Sequence, residues 1–344
     1  MNMEEKLKDV FEDKKILITG GTGFIGSEIA RRLLPYNPEV IRILSNDEDS
    51  MFRLIQELGE GDSKRYLIGD IRDKERLQLA MEDIDIVYHA AALKHVPLCE
   101  YNPFEAIKTN VFGTQNVIDA ALHSGVEKVI GISTDKAVNP INTMGATKLL
   151  AEKLIIDANY YKGIRKTVFS CVRFGNVSFS RGSVIPLFEE QIKQKKPLTI
   201  TDPDMTRFMM SISNTIDLVF KATLISKGGE IFILKMPVIK MGDLVDVLVE
   251  YYAQKHGINK ETIKKTFIGP RPGEKKFEEL LNESETKRVF ETEDMLVIPP
   301  QIEFPDMKYK PSDYPNAHVS SLNRYASRDI KPLSKSEIKT LLFI

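Results

Sequence analysis

The sequence has little that would direct it to a nucleic acid, a membrane or an oxidising compartment. Its 48 lysines and arginines stand against 49 aspartates and glutamates, leaving a net charge of −1, so nothing electrostatic favours a polyanion or an anionic bilayer. Only two cysteines occur, Cys99 and Cys171, isolated along the chain. They form neither a disulfide framework nor a metal-ligand spacing, so packing is their expected role and no metal is expected. No apolar run approaches a membrane span, and the charged start from Met1 to Lys15 lacks the apolar stretch of a signal peptide. A cytoplasmic protein with no nucleic-acid or membrane partner is the expectation.

What is present points to an α/β protein. The 344 residues suffice for one large unit and a smaller lobe. Short β-branched runs predict strands at Lys15–Thr19, Val40–Leu44, Arg65–Ile68, Ile84–His89, Lys128–Ser133 and Thr167–Arg173. Helical patterns lie between them, notably Ile25–Leu34, Pro103–Ser124 and Thr143–Tyr161. Alternation of this kind predicts a doubly wound parallel sheet of Rossmann type, with ligands at the carboxyl ends of its strands. After Gly175 prolines punctuate shorter elements, so residues 1–175 are expected to bind a dinucleotide. Residues 176–344 are expected to form a C-terminal substrate lobe, with some elements returning to the first unit. Pro299–Pro315 reads as an extended arm or loop, and Ser334 with Glu337 reads as the cap of a last short helix.

Gly20-Gly21-Thr22-Gly23-Phe24-Ile25-Gly26 follows the first predicted strand and opens a helical pattern. Glycines allow a tight turn and close backbone approach, and a helix N-terminus favours pyrophosphate. A plain tight turn would use the same residues; strand before and helix after favour a dinucleotide. The second strand ends Ser45-Asn46-Asp47, with Ser45 at the place where an acid often holds the adenosine ribose. Arg53 would supply a charge for a 2′-phosphate if its helix points it inward. The cofactor expectation is therefore tightly bound NADP, with NAD as the other choice.

Two further stretches carry the chemistry: Ser133-Thr134-Asp135-Lys136, and Met144-Gly145-Ala146-Thr147-Lys148. With the glycine loop, they resemble the extended short-chain dehydrogenase/reductases, and within these the UDP-N-acetylglucosamine 4,6-dehydratases and related epimerases of surface-sugar synthesis. The resemblance runs from Gly20 to Pro270-Arg271-Pro272-Gly273-Glu274, with one departure: Met144 stands where the family usually has a tyrosine. It implies that Asp135 is the acid at C6 of the sugar, that Lys136 is the base at C5 and that Lys148 binds the nicotinamide ribose. Methionine cannot carry a proton, so Asp135 or Lys136, relayed through Thr134, is expected to deprotonate the C4 hydroxyl. Met144 also reads as an ordinary core methionine on an amphipathic helix.

The resemblance extends to binding residues. It implies that Asp70, Ile71, Ala90, Ala91, Ala92, Lys94 and Asn110 join Gly20, Thr22, Gly23, Phe24, Ile25, Gly26, Ser45 and Asn46 around the cofactor. For the UDP-sugar it implies Lys94, His95, Asn176, Arg181, Val184, Thr201, Met205, Arg207, Arg271 and Glu274. Arg207 and Arg271 suit a diphosphate because a guanidinium fork binds two oxygens, although either could instead be a surface ion pair. Some relatives carry membrane helices ahead of this unit, and their absence here implies soluble nucleotide-linked substrates. Three readings stay open: a 4,6-dehydratase, an epimerase at C4 or C5, and a non-catalytic sugar-nucleotide-binding subunit. A homo-oligomer, dimer or hexamer, is expected by the same likeness.

Overall fold

A computed structural model describes residues 2–180, 182–302 and 308–343. Six parallel strands form its centre: β1 (Lys15–Thr19), β2 (Val40–Ser45), β3 (Lys64–Ile68), β4 (Ile86–His89), β5 (Lys128–Thr134) and β6 (Val168–Phe174). They lie in the order β3-β2-β1-β4-β5-β6, reversing direction of travel at β1 and β4. That reversal opens a crevice above the carboxyl ends of β1 and β4.

Side-chain alternation explains why both faces are covered. In β1, Ile16 and Ile18 join a core with Phe11, Ile29, Leu33 and Phe220, while Leu17 points to the other face with Leu77, Val117 and Ile155. Successive strand residues face opposite sides, so a run of apolar residues needs helices on both. Each such buried side chain stabilises by about 1.5–3 kcal/mol, which fixes the register of the strands that carry the site.

The six-strand expectation is short. The sheet has ten strands among the described residues. Ile231–Leu234 adds parallel to β6, and Met295–Ile298, antiparallel, adds beyond it. The apolar run Met295-Leu296-Val297-Ile298 is wholly buried; it pairs on one side with the neighbouring Phe290–Glu291 and on the other with Ile231–Leu234, some sixty residues upstream, a contact that no local pattern announces. The predicted helix Pro103–Ser124 is also interrupted: Pro103–Ile107 and Gly113–Ser124 flank a π turn at Lys108–Phe112. Such turns are common beside functional sites.

A separate core lies after Gly175 in the chain, in which Phe188, Ile200, Met205, Leu244 and Leu248 meet. Short strands Leu198–Ile200 and Lys265–Phe267 pair in parallel there, and Thr206–Met210 lies between Asn176–Val177 and Val238–Lys240. The last helix, Lys335–Leu342, starts with the Ser334–Glu337 capping box and buries Ile338 and Leu342 in this core. In the stretch expected as an arm, Tyr314 is buried and its hydroxyl meets Glu230; residues 303–307 lie outside the described part.

Candidate active site

The turn after β1 is shaped by contacts that admit no side chain. Gly20 has φ +66°, and a Cβ there would lie 2.6 Å from the Cα and N of Ala91. A Cβ at Gly26 would lie 2.5 Å from the Gly20 carbonyl. Gly23 N–H closes the turn on Gly20 O at 2.9 Å and caps the helix Phe24–Leu33 without a side chain, leaving its first amides to a ligand.

This turn lines a cavity of about 710 Å³ with Ser45, Asn46, Asp70, Ile71, Ala90, Ala91, Ala92 and Lys94. Thr22 Oγ1 meets Ser45 Oγ at 2.6 Å, and Asn46 donates to Asp70 at 3.2 Å. Burial opposes the charge of Asp70, yet Arg72 outweighs it and holds the carboxyl below its usual value. Arg53 is a correction to the sequence reading. It is exposed, donates to Ser50 Oγ at 3.0 Å and is absent from the cavity wall. Its helix turns that position outward because Met51 and Leu54 occupy the inward stripe.

Asn110, expected at the cofactor, is buried behind the wall. It bonds both backbone groups of Leu93, at 2.8 and 3.0 Å, and Thr147 Oγ1 at 3.0 Å. Its visible work is to tie the loop after β4 to the helix Thr143–Tyr161.

At the other end of the cavity β5 delivers Thr134, and a short turn follows through Asp135 and Lys136. Met144 sits in the first turn of the helix Thr143–Tyr161, against Cys99 and Ala106, and still lines the cavity. Lys148 lies one turn further on the same face and donates to Ile132 O at 2.6 Å; burial lowers its pKa. Thr134 lines the cavity, and its Oγ1 donates to Asp135 Oδ1 at 2.9 Å. Asp135 itself is completely buried behind Thr134 and Lys136. Its Oδ2 has no hydrogen-bond partner among the described residues and lies 3.2 Å from where a Gly175 Cβ would be.

Lys136 Nζ is 3.0 Å from Asp135 Oδ1 and 3.8 Å from Glu278 Oε1. Burial works against its charge, but the two carboxyl groups outweigh burial and raise its pKa. Glu278 escaped the sequence reading. It precedes the strand Glu279–Leu281 in an acidic stretch indistinguishable from a solvated one, and only the fold sets it beside Lys136.

A second cavity, of about 280 Å³, adjoins the first; Lys136, Asn176 and Gly182 line both. Val184, Thr201, Arg207, Arg271, Glu274 and Glu278 line the second. His95 lines the first, packed on Gly182, where a Cβ would meet its ring at 2.6 Å. Met205 is fully buried beneath Thr201, and Arg181 lies outside the described residues. Arg207 gives most of its donors to the carbonyls of Thr206, Lys275 and Lys276, whereas Arg271 is exposed at the rim. Behind β5, buried Arg173 is held between Glu152 and Glu285, and Glu152 accepts from Ser133 Oγ at 2.7 Å. Sequence spacing showed nothing of this network.

A doubly wound sheet with a glycine turn at its crevice and a second cavity beside it defines an extended short-chain dehydrogenase/reductase. Residues 16–300 match the family model described as polysaccharide biosynthesis protein, and the chain belongs to that family. A UDP-N-acetylglucosamine 4,6-dehydratase (inverting) of Campylobacter jejuni is 45% identical over 301 residues, 87% of this chain and 86% of the relative. A UDP-glucose 4-epimerase of Rickettsia prowazekii is 42% identical, covering 97% of this chain and 96% of the relative. An uncharacterised membrane protein of Methanocaldococcus jannaschii is 54% identical, over 99% and 98%. Among the described residues here, no helix is long and apolar enough to cross a membrane. The solved structure of Pen from Bacillus thuringiensis is 47% identical, with a TM-score of 0.89 over 97% of this chain and 98% of that one.

Proposed function

We propose that this chain is a UDP-N-acetylglucosamine 4,6-dehydratase with a bound nicotinamide dinucleotide. The observation that carries the reading is the cluster of Asp135, Lys136 and Glu278 at the seam between the two cavities. The dehydratase relative from Campylobacter jejuni supports it. The larger cavity suits the dinucleotide, because the turn through Gly20, Gly23 and Gly26 lines it at the start of the helix Phe24–Leu33, where backbone amides favour a pyrophosphate. When bound, the nicotinamide supplies a hydride acceptor at C4 and donor at C6.

This chain's residues then have protons to move. Thr134 relays the C4 hydroxyl proton to Asp135 Oδ1, 2.9 Å away, which gives Met144 no proton to carry. Lys136 takes the C5 proton, acidified by the new ketone, and the buried Asp135 returns its proton through Thr134 to the C6 hydroxyl so that water leaves. Lys148, which lines the same cavity, would hold the nicotinamide ribose. The uridine lies along Thr199–Thr201, with Arg271 and Glu274 at the phosphate and ribose end.

The cofactor reading moves to NAD. Neither Arg53 nor any other arginine among the described residues lines this cavity beside Ser45 and Asn46, so a 2′-phosphate would find no guanidinium on the wall. Mass spectrometry of the released cofactor tests this, and recovery of NADP would refute it. Copies are proposed to assemble through the helices that expose Leu98, Tyr101, Phe104 and Leu150, to be read by light scattering.

Incubation with UDP-N-acetylglucosamine followed by mass spectrometry and NMR tests the activity. Loss of water with a 4-keto-6-deoxy product supports the reading, and unchanged mass sinks it. The epimerase relative keeps a second reading alive: an inverted centre, or C5 hydrogen exchanged with solvent without dehydration, would establish it. A cofactor-loaded protein inert toward the sugar would instead be a binding subunit.

A further inference from the structure

We propose that Glu278 is the proton acceptor that frees Lys136 to act as a base, a positioning residue that works through Lys136. The inference rests on the dehydratase reading, and it answers a difficulty within it. Lys136 stands as an ammonium against Asp135, with its pKa raised. An ammonium has no lone pair with which to take the C5 proton.

Two carboxyl groups can relieve it. Asp135 Oδ1 already accepts from Thr134 Oγ1 and Lys136 Nζ and is occupied by the C4 hydroxyl proton. Glu278 stands on the other side, with Oε1 3.8 Å from Lys136 Nζ, so a small swing of the lysine closes a hydrogen bond. Its backbone is pinned: its N–H donates to Ser327 Oγ at 3.0 Å, and its carbonyl accepts from Ser327 N at 2.8 Å. Its side chain is 4% exposed and its Oε2 has no hydrogen-bond partner among the described residues. A buried carboxylate so poorly solvated takes a proton readily.

The charged groups around it are Lys136, Asp135, Arg207 and Lys275. Arg207 Nε is 3.9 Å away, and most of its other donors are spent on backbone carbonyls, with Glu274 3.5 Å from Nη2. Burial pushes the Glu278 carboxyl above its usual range; Lys136 pulls it down, Asp135 pushes it further up, and Arg207 and Lys275 pull it down again, with the rise prevailing.

The protons balance around one turnover. Lys136 gives a proton to the Glu278 carboxylate and becomes an amine. Asp135 receives the C4 hydroxyl proton through Thr134. The amine then takes the C5 proton while Asp135, through Thr134, protonates the C6 oxygen, the C6–O bond breaks and water leaves. With C6 reduced by the hydride that a bound nicotinamide would supply, Lys136 returns a proton to C5, and Glu278 restores the ammonium.

The test compares the full-length protein with Glu278→Gln, which keeps the shape and cannot take a proton, and with Glu278→Asp. With UDP-N-acetylglucosamine, the Gln variant should still reduce its bound cofactor in a single turnover. It should lose about 100-fold or more in water elimination and in C5 solvent exchange, with its pH profile changed and the Asp variant partly active. Elimination at the parental rate and pH profile in a cofactor-loaded Gln variant overturns the proposal. If the parent protein eliminates no water, the dehydratase reading fails, and the pair is tested in the free protein. Infrared and Lys136 ¹⁵N titrations then show either a Glu278 carboxyl coupled to Lys136 and lost in the Gln variant, or none, which overturns it too.

Discussion

His89, at the end of β4, makes the cofactor crevice acid-sensitive. Its ring is buried between Thr19 Oγ1, 2.8 Å from Nδ1, and Thr114 Oγ1, 3.0 Å from Nε2. Thr114 spends its own proton on the Asn110 carbonyl at 2.6 Å, so Nε2 must be the donor and Nδ1 accepts from Thr19. Protonating Nδ1 would put a charge into this site, and burial, followed by the charge of Lys148, lowers the pKa from 6.5 to about 3. The folded value is the depressed one, so stability is full above 6.5 and is lost as pH falls toward about 3. At pH 4 the unfolded histidine is protonated and the folded one is not. The roughly 2.5 units between, at about 1.4 kcal/mol each, cost about 3 kcal/mol. Urea unfolding at pH 7 and pH 4 measures it against His89→Gln. The variant should start about 1–3 kcal/mol less stable, having lost a buried hydrogen bond, and then lose about 3 kcal/mol less on acidification. Parallel losses in the two proteins would refute the assignment of His89 as a buried neutral ring.

Three other outcomes rest on the same structure. Gly20→Ala places a Cβ 2.6 Å from the Ala91 backbone at φ +66°, costing about 1–2 kcal/mol for the backbone conformation and about 1–3 kcal/mol for overpacking. It should purify with little cofactor, and full occupancy by absorbance would contradict the proposed use of the turn. Arg173→Met strands Glu152 and Glu285 without their shared cation and should cost about 3–5 kcal/mol in urea unfolding; an unchanged midpoint would count against the triad. The raised carboxyl of Glu278 penalises the folded state as pH rises above the carboxylate range. Glu278→Gln should therefore be the more stable protein at neutral pH, with the difference vanishing below about pH 4.5; a less stable variant at neutral pH would show attraction outweighing burial.

The parts of the site that lie close together in sequence were legible there. The glycine turn, Thr134-Asp135-Lys136 and the helix bearing Met144 and Lys148 need only a strand end and a helical spacing, and the structure brings all of them to one crevice except Asp135, which it buries just behind. Arg53 shows where such reading stops. Its helix was evident, but which stripe faces inward depends on where Met51 and Leu54 find their core. Asn110 shows the same from another side, since its residue type suits a ligand and its position makes it a tie for Leu93.

Local sequence by itself determined the βαβ order, the dinucleotide turn and the absence of the usual tyrosine, because each is set by neighbouring residues within one element or turn. Tertiary structure alone decided that Met295–Ile298 extends the sheet, that Arg173 is clamped by Glu152 and Glu285, and that Glu278 comes within 3.8 Å of Lys136. These depend on pairings across more than a hundred residues in the case of Lys136 and Glu278. Burial, which sets the protonation of those groups, exists only once the chain has closed over them.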